Sequence, residues 1–567
     1  MKKIIHHLPI AIILFFILHS SVFTAVAQYP SRYFIQFTDK GNNTYTLSHP
    51  DSFLTARAIQ RRTNQGIGYD SLDLPVTQAY IDTIAAMGAT IYYSSRWLNG
   101  LVIGTLDTNL RDSILNLPFV VNANNAIYRK KEAHKDIEPY DFIKQEGLLP
   151  VPPKNSLREK SDQALLYGFG LTQVQLIHID FLHNLGYLGD GKVICQLDAG
   201  YQNANVRTVF DSARNNNQFL GVKNFVPTDN PDVYNNGQQH GAWCLSTYAA
   251  NMPGQLVGTA PHVSFWLLVT EDGSTENIVE EYNWIAGAEF ADSVGADIIT
   301  SSLIYTQFDH TDQNHTYADM NGHTTPASRG ATIAHRKGLL VCNANGNYGS
   351  SSWHYLGTPA DADSILAVGA TDGNGNWVSF SSLGPSSDGR VKPDVADMGS
   401  GSAIARTDAD SITTGSGTSF ATPELAGAVA CLWQAYPNFT NYEIRQAVIQ
   451  CASQYNNPDT LLGYGVPNFE CSYSILTGMA QAKNHVFVGI FPNPFNTSAN
   501  LTINGAVNNL NATIHIYNVL GQEVKSIYMG NKINTILTRD NLTNGMYFYK
   551  LTQNNNQTVA TGKFIVE

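Results

Sequence analysis

Between about residues 164 and 477, short apolar runs alternate with stretches of helical periodicity, and this alternation constrains the fold more than any other feature. The runs are apolar nearly throughout rather than at every second residue, as in KVICQLD, ADIITSSL, GLLVCNA and SILAVGA. Strands buried on both faces have this pattern, and helices between them are typical of a parallel sheet. The segment therefore predicts an α/β domain, with a parallel sheet and helices on both of its faces.

The chain on either side of this segment has a different pattern. Residues 28–128 contain strands and helices in the order βαββαβ, with an extra helical stretch near 50–65, which predicts a ferredoxin-like α+β unit. Residues 129–163 are charged, contain prolines and lack periodicity, so we expect an exposed linker. In residues 478–567, short strands separated by Gly and Asn turns predict a small all-β sandwich domain.

The N-terminus predicts export. MKK is followed by the apolar stretch PIAIILFFILHSSVFTAV and by AVA, the small-x-small pattern of a signal-peptidase site. A membrane anchor is the alternative, but the cleavage pattern favours a signal peptide over residues 1–27 and a secreted or cell-surface protein. The six cysteines then meet an oxidising compartment, and their number alone gives no connectivity. The net charge of −12 argues against a nucleic-acid partner, which would require basic patches.

Three separate segments carry candidate catalytic side chains. Asp198 ends the strand KVICQLD, and the carboxyl ends of parallel strands are where open α/β sheets place their sites. His240 opens a helix in QHGAWCLSTYAA, where a held imidazole can act as a base near neutral pH. Each has a structural alternative, since a strand-end aspartate often only caps a turn and a lone histidine often only fills a polar position.

The third segment is GSGTSFATPELAG, with Ser419 as the candidate nucleophile. Gly415 and Gly417 let the backbone approach a substrate, and a helix that begins near Ser419 can direct its N–H groups toward a developing oxyanion. The following helix is apolar nearly all round, which predicts that it is buried. Pro423 is expected near its first turn, where N–H groups lack partners.

Asp198, His240 and Ser419, in this order and with GTSFATPELAG around the serine, resemble the motifs of the subtilisin-like serine peptidase family over about residues 164–477. The resemblance implies a secreted endopeptidase that cleaves protein or peptide substrates through an acyl-enzyme intermediate and requires no cofactor. An inactive cell-surface binding protein on the same fold is the alternative function. The complete triad favours the enzyme.

The resemblance also implies an oxyanion donor. In the family an asparagine follows Ala-Ala-Gly, and here GLLVCNANGNYG has Asn347 after Gly346, so Asn347 is expected to stabilise the oxyanion. A plain Asn-Gly turn is the alternative, and it fits Asn345-Gly346 better than Asn347. The residue after the catalytic aspartate is Ala199, where the family usually has Thr or Ser.

The family's Ser-Leu-Gly segment, which pairs with the substrate backbone and lines the primary specificity pocket, corresponds to Ser302-Leu303-Ile304. The resemblance therefore implies that Ser302, Leu303 and Gly346 bind substrate. Ile304 in place of glycine is expected to narrow or reshape the pocket. Cys244 matches a position where some family members carry an unpaired buried cysteine.

The two flanking units resemble accessory domains that are known from such peptidases. The βαββαβ unit resembles their propeptides, which implies that it assists folding and acts as an intramolecular inhibitor. PNPF, IYNVLGQEV, NGMYFYKL and GKFIVE resemble the C-terminal sorting domain of the type IX secretion system, which implies export through the periplasm and outer membrane by that machinery. An adhesion or carbohydrate-binding sandwich is the alternative for this domain.

The segment 308–323, FDHTDQNHTYADMNGH, is rich in histidine, aspartate and asparagine. Its spacing matches no zinc motif, so an oxygen-rich calcium loop or a solvated loop is the better interpretation. A structural calcium ion is compatible with the resemblance, whereas no metal is expected among the catalytic groups.

Overall fold

The computed structural model describes residues 31–125, 166–226, 231–484, 486–504, 511–553 and 557–567. The predicted signal peptide and the predicted linker lie outside these ranges. Within them, no helix combines the length and the apolar character needed to cross a membrane.

The N-terminal unit is a four-stranded antiparallel sheet with three helices. In chain order its elements are β1 (Ser31–Phe37), α1 (Ala56–Asn64), α2 (Gln78–Ala86), β2 (Thr90–Ser95), β3 (Gly100–Thr105), α3 (Thr108–Leu115) and β4 (Val120–Asn125). The strand order is β2-β3-β1-β4 and every neighbouring pair is antiparallel. This is the ferredoxin-like arrangement that the sequence predicts, and α1 is the expected extra helix.

The middle of the chain contains the larger α/β unit. Its first elements are α4 (Leu171–Leu176), α5 (Ile179–Asn184), β5 (Val193–Asp198), α6 (Asp211–Asn215), β6 (Phe219–Asn224), α7 (His240–Ala249), β7 (Asn251–Met252), β8 (Leu256–Val257), β9 (Ser264–Val269) and α8 (Val279–Val294). The remaining elements are β10 (Ile298–Ser301), α9 (Pro326–Arg336), β11 (Leu340–Ala344), β12 (Leu366–Thr371), β13 (Val395–Met398), β14 (Ser400–Ala405), β15 (Ile412–Ser416), α10 (Thr418–Ala435), α11 (Asn441–Gln450) and α12 (Phe469–Asn484).

Seven of these strands form one parallel sheet in the order β13-β12-β11-β10-β5-β9-β6. Alternate residues of β5 enter two separate apolar cores: Ile194 packs with the buried residues of α7 and α10, and Cys195 packs with those of α8 and α9. The sheet is therefore covered by helices on both faces, as predicted. Because β5, β10 and β11 are parallel neighbours, their carboxyl ends lie along one edge, where such sheets bind ligands.

A disulfide joins the residue after α11 to α12, and the sequence alone did not predict it. Cys451 and Cys471 are bonded across a separation of 20 residues. The other four cysteines are free and buried.

The C-terminal unit is a sandwich of two antiparallel sheets. Its strands are β16 (Phe487–Phe491), β17 (Ser498–Asn504), β18 (Ala512–Tyr517), β19 (Glu523–Gly530), β20 (Asn534–Thr538), β21 (Gly545–Gln553) and β22 (Gln557–Val566). One sheet has the order β16-β17-β20 and the other β19-β18-β21-β22. Residues from both sheets, such as Leu501, Ile514 and Phe564, form its own apolar core, which confirms the predicted all-β fold.

The N-terminal unit packs against α8 of the α/β unit through buried charges. The carboxylate of Asp292 accepts hydrogen bonds from Nη2 of Arg61 at 2.5 Å, Arg62 at 2.8 Å and Arg96 at 2.8 Å. Burial alone would raise the pKa of Asp292, but the three guanidinium groups outweigh it and hold the pKa below its usual value. The two units therefore share one buried ionic network.

Candidate active site

Asp198 and His240 form a hydrogen-bonded pair at the carboxyl edge of the sheet. Asp198 is the last residue of β5 and His240 is the first residue of α7, and both are buried. His240 Nδ1 donates to Asp198 Oδ1 at 2.8 Å, and the backbone N–H of Ala199 donates to the same oxygen at 2.8 Å. A proton held on Nδ1 leaves Nε2 as the basic nitrogen.

Gly241 is required for this close approach. A Cβ at this position would lie 2.5 Å from the carbonyl oxygen of Gly200 and 2.9 Å from Asp198 Cβ. The carbonyl of Gly241 in turn accepts a hydrogen bond from Gln196 Nε2 at 2.8 Å, which ties the start of α7 to β5. Gly241, next to His240 in the His-Gly pair of the sequence, is therefore required by packing.

The surroundings of His240 favour its protonated form. Burial lowers the pKa of the imidazole, but attraction to the Asp198 carboxylate outweighs burial, so the pKa lies well above its ordinary value of 6.5. Asp198 can thus stabilise the imidazolium that forms when His240 accepts a proton.

Ser419 is the second residue of α10, directly after the two-stranded antiparallel sheet β14-β15. It is largely buried, at 7% exposure. Cys244 connects it to His240: the thiol lies 3.9 Å from His240 Nδ1 and donates to the Ser419 carbonyl at 3.2 Å. The structure therefore places the backbone of the third predicted residue near the Asp198–His240 pair.

Pro423 explains why the Ser419 carbonyl is available. It is the sixth residue of α10, one turn beyond the position expected from the sequence, so it lacks the N–H that would bond to the carbonyl four residues earlier. That carbonyl belongs to Ser419, and it accepts a hydrogen bond from Ser302 Oγ at 2.8 Å in addition to that from Cys244. The proline thus exchanges a helical hydrogen bond for two contacts to neighbouring site residues.

Asn347 lies beside the start of the same helix. Its Oδ1 accepts from the backbone N–H and from Oγ1 of Thr418, both at 2.9 Å. These two donors fix the amide orientation and leave Nδ2 as a donor close to Gly417, whose added Cβ would lie 3.4 Å from it. Gly346, just before Asn347, has φ of +111°, a conformation that glycine adopts readily and other residues rarely do.

The predicted substrate-binding residues follow β10 and β11. Leu303 is buried, and its carbonyl accepts from Asn343 Nδ2 at 2.9 Å, which joins the two strand ends. Gly346 faces Ile304 from the β11 side, because a Cβ on Gly346 would overlap with Ile304 Cδ1. The segments 302–304 and 345–347, which carry the predicted substrate-binding residues, thus lie side by side, and Ser302 contacts the Ser419 carbonyl. We refer to the space between these two segments as the candidate cleft.

The histidine-rich segment 308–323 makes both local contacts and contacts with distant parts of the chain. His315 Nε2 donates to Glu281 Oε1 at 2.5 Å, and Asp319 accepts from the backbone N–H and from Oγ1 of Thr316 at 2.7 Å. Among the residues that the structure describes, no set of ion-binding side chains close enough to share a metal falls in this segment.

A buried cluster of Glu271, Glu276 and Glu280 was missed by the sequence interpretation. Their carboxylate oxygens all lie within 4.8 Å of one another. Burial raises the pKa of Glu271 to about 8 and holds the pKa values of Glu276 and Glu280 well above the ordinary value for glutamate. The sequence signal is weak: TEDGSTENIVEE contains four glutamates, three of which form the cluster, and such a pattern normally indicates a solvated loop.

Comparison with known families identifies the chain. Residues 99–465 match the subtilase family, peptidase family S8. This chain belongs to the subtilase family. It is a secreted, subtilisin-like serine endopeptidase, and members of this family need no cofactor for hydrolysis. Residues 32–139 match the peptidase S8 propeptide domain of Bacteroidota, and residues 489–567 match a secretion system C-terminal sorting domain, which indicates a secreted or cell-surface peptidase.

Several curated peptidases are similar in sequence. Subtilisin NAT of Bacillus subtilis subsp. natto is 29% identical over 323 residues, covering 56% of this chain and 73% of that protein. Subtilisin DY of Bacillus licheniformis is 29% identical over 282 residues, covering 48% of this chain and 92% of that protein. The alkaline protease of Alkalihalobacillus alcalophilus is 29% identical over 327 residues, covering 55% and 72%.

Proposed function

We propose that Ser419 is the nucleophile, His240 the general base and Asp198 the group that orients the imidazole. Ser419 Oγ attacks the scissile carbonyl while His240 Nε2 takes its proton, and the same nitrogen later protonates the leaving amine. The Asp198 carboxylate holds the Nδ1 proton and supports the charge on the ring. Water then attacks the acyl-enzyme. His240 takes a proton from this water and gives it to Ser419 Oγ as the acyl group leaves.

We propose that Asn347 Nδ2 donates to the oxyanion, together with backbone N–H groups at the start of α10. The support is the orientation of its amide, whose oxygen is already used by the two donors of Thr418. A fixed donor needs no reorganisation when charge develops on the substrate oxygen, which is why such groups contribute strongly to catalysis. Ser302, Leu303 and Gly346 are proposed to bind the substrate on the other side of the cleft.

The observation that carries this assignment is the 2.8 Å hydrogen bond between His240 Nδ1 and Asp198 Oδ1 beside the N-terminus of the Ser419 helix. The test is labelling with a fluorophosphonate probe and casein cleavage by the mature protein and by Ser419→Ala. We expect the probe to label only the parent protein and the variant to be inactive while folded. A folded parent that neither labels nor cleaves would support the inactive binding protein instead.

We propose that residues 28–128 are the propeptide and that cleavage within 129–163, by the peptidase itself, releases it. The buried contacts of Asp292 with the N-terminal unit support an inhibitory role, because they keep this unit bound to the α/β unit. Mass spectrometry of the secreted enzyme should find a new N-terminus within 129–163. An active secreted enzyme that still begins at Gln28 would contradict this proposal.

We propose that residues 478–567 direct export through the type IX machinery, across the periplasm and the outer membrane, and that residues 164–477 form the peptidase domain. The separate apolar core of the sandwich supports its independence from catalysis. Deleting residues 480–567 should trap the protein in the periplasm, whereas the purified truncation should keep its activity. Normal export of the truncation would remove the sorting role.

Structural calcium stays a prediction for this chain. It is tested by the melting temperature of the mature enzyme in EDTA and in CaCl₂. A lower melting temperature in EDTA, restored by calcium but not by magnesium, is the expected result. An unchanged melting temperature would show that calcium does not stabilise the enzyme.

A further inference from the structure

The position of the scissile carbonyl defines where the neighbouring substrate side chain goes. If Ser419 is the nucleophile and Asn347 the oxyanion donor, the carbonyl lies between them, at the carboxyl ends of β10 and β11. These strands are adjacent and parallel, so the segments that follow them leave the sheet side by side. With Ser302, Leu303 and Gly346 proposed to bind the substrate, the side chain on the acyl side of the scissile bond, P1, is placed in the space between residues 302–304 and residues 345–346.

A third segment closes this space. Tyr305 and Thr358 exchange backbone hydrogen bonds, with N···O distances of 2.8 and 3.2 Å, and this antiparallel pairing brings Gly357 opposite Thr306 and diagonally next to Ile304. A Cβ added to Gly357 would lie 3.2 Å from Ile304 Cβ and 2.8 Å from Thr306 Cγ2. The cleft thus has backbone walls with glycine on two sides, at Gly346 and at Gly357.

Ile304 occupies the room that these two glycines leave. Its Cδ1 lies where it would overlap with a Cβ on Gly346, and its Cβ faces Gly357. Ile304 is partly exposed rather than buried, so part of its surface is accessible to a substrate. A β-branched side chain is stiff about χ1, and backbone walls on both sides give it little freedom to turn away.

We propose that Ile304 fills the P1 pocket and restricts the peptidase to substrates with small P1 side chains, namely glycine, alanine and serine. This inference rests on the proposed roles of Ser419 and Asn347. It names a specificity residue for the same reaction, since the volume taken by the isoleucine is volume that an aromatic or long aliphatic P1 side chain would need. Ile304 acts by exclusion and takes no part in bond making.

The test compares kcat/KM on peptides that differ only at P1, with alanine, leucine or phenylalanine at that position. Each methylene that a pocket cannot accept costs roughly 10- to 200-fold in kcat/KM, so the mature enzyme should prefer P1 alanine over P1 phenylalanine by at least about 100-fold. In Ile304→Gly and Ile304→Ala this ratio should fall by at least about tenfold. Ile304→Leu keeps the volume and is the matched control, which should retain the preference for alanine.

The outcomes separate this inference from the assignment of the triad. An enzyme that labels with the fluorophosphonate probe but cleaves P1 phenylalanine as fast as P1 alanine would overturn the inference and leave the triad intact. An unchanged ratio in Ile304→Ala would overturn it as well. Failure to label or to cleave any of the peptides would overturn the proposed function itself. If Ile304→Gly does not fold, Ile304→Ala still tests the inference. The ratio of kcat/KM for P1 alanine to that for P1 phenylalanine in the unmodified enzyme tests it without any variant.

Discussion

Replacing Asp292 by asparagine should weaken binding of the N-terminal unit to the mature peptidase by about 10²- to 10⁴-fold. The carboxylate has no solvent exposure, and its partners Arg61, Arg62 and Arg96 are also buried. Removing one partner of a buried ionic network leaves the others uncompensated, at a cost of about 3–5 kcal/mol. Each tenfold change in affinity corresponds to about 1.4 kcal/mol, which gives the stated range.

The measurement is the inhibition constant of separately produced residues 28–128 against the mature enzyme, with active sites counted by fluorophosphonate titration. The control is Arg57→Gln on the N-terminal unit. Arg57 pairs with Asp297 at 2.5 Å, but its side chain is 42% exposed. Solvent reaches the Arg57 side of this pair, although the Asp297 side chain is only 9% exposed, so the control should change the inhibition constant less than Asp292→Asn does, by about tenfold or less.

Equal effects of Asp292→Asn and Arg57→Gln would refute the reasoning, because burial would then make no difference to the strength of the pair. A second variant changes the N-terminal unit and leaves the sequence of the peptidase unchanged. Arg62→Met on the N-terminal unit removes a guanidinium that is fully buried and bonded to Asp292 and to Asp73. It should weaken inhibition by the same order as Asp292→Asn, and it remains informative if the Asp292 variant is recovered poorly.

Three further predictions concern the catalytic unit. Asn347→Ala should lower kcat by roughly 10²–10³-fold with little change in KM, the magnitude known for loss of such a donor in subtilisin itself. Because the neutral form of His240 is the base and its pKa is raised, activity should increase as pH rises through a value above the ordinary 6.5. Asp198→Asn removes the carboxylate that raises this pKa, so the rise of activity in a pH–rate profile should occur at lower pH. The same substitution should lower kcat by about 10⁴-fold. Replacing Cys451 and Cys471 by serine, which opens a loop of 20 residues, should lower the free energy of unfolding by about 3 kcal/mol in urea denaturation. Flat pH dependence, an unchanged kcat or an unchanged midpoint would each contradict the corresponding prediction.

The candidate catalytic residues could be proposed from sequence because each stands at a boundary between elements. Asp198 ends an apolar run and His240 begins an apolar helix, and such boundaries are visible in the pattern of residues. The parallel sheet and its two covered faces follow from the same alternation of strands and helices. The ferredoxin-like unit was also predictable, since its order of elements admits few compact arrangements.

Other features depend on contacts between distant residues, and no local pattern indicates them. Arg62 and Asp292 are 230 positions apart, and charged side chains normally indicate a surface. Glu271 and Glu280 are buried for the same kind of reason, because the segments that cover them come from elsewhere in the chain. The Cys451–Cys471 pair is one among many that six cysteines allow, and only the packing of α11 against α12 selects it.

Pro423 is visible in the sequence, but its effect depends on contacts between distant residues. From sequence it is only a residue that the helix must tolerate. In the structure it leaves the Ser419 carbonyl without its helical hydrogen bond, and this carbonyl accepts from both Ser302 and Cys244. Ser302 belongs to the segment that continues to Ile304, and Cys244 lies one turn after His240 on α7. One freed carbonyl thus holds Ser419 against both the segment that leads to Ile304 and the helix that begins at His240. A residue at 423 with an N–H would compete for that carbonyl, so the proposed triad and the proposed P1 pocket depend on the same missing hydrogen bond.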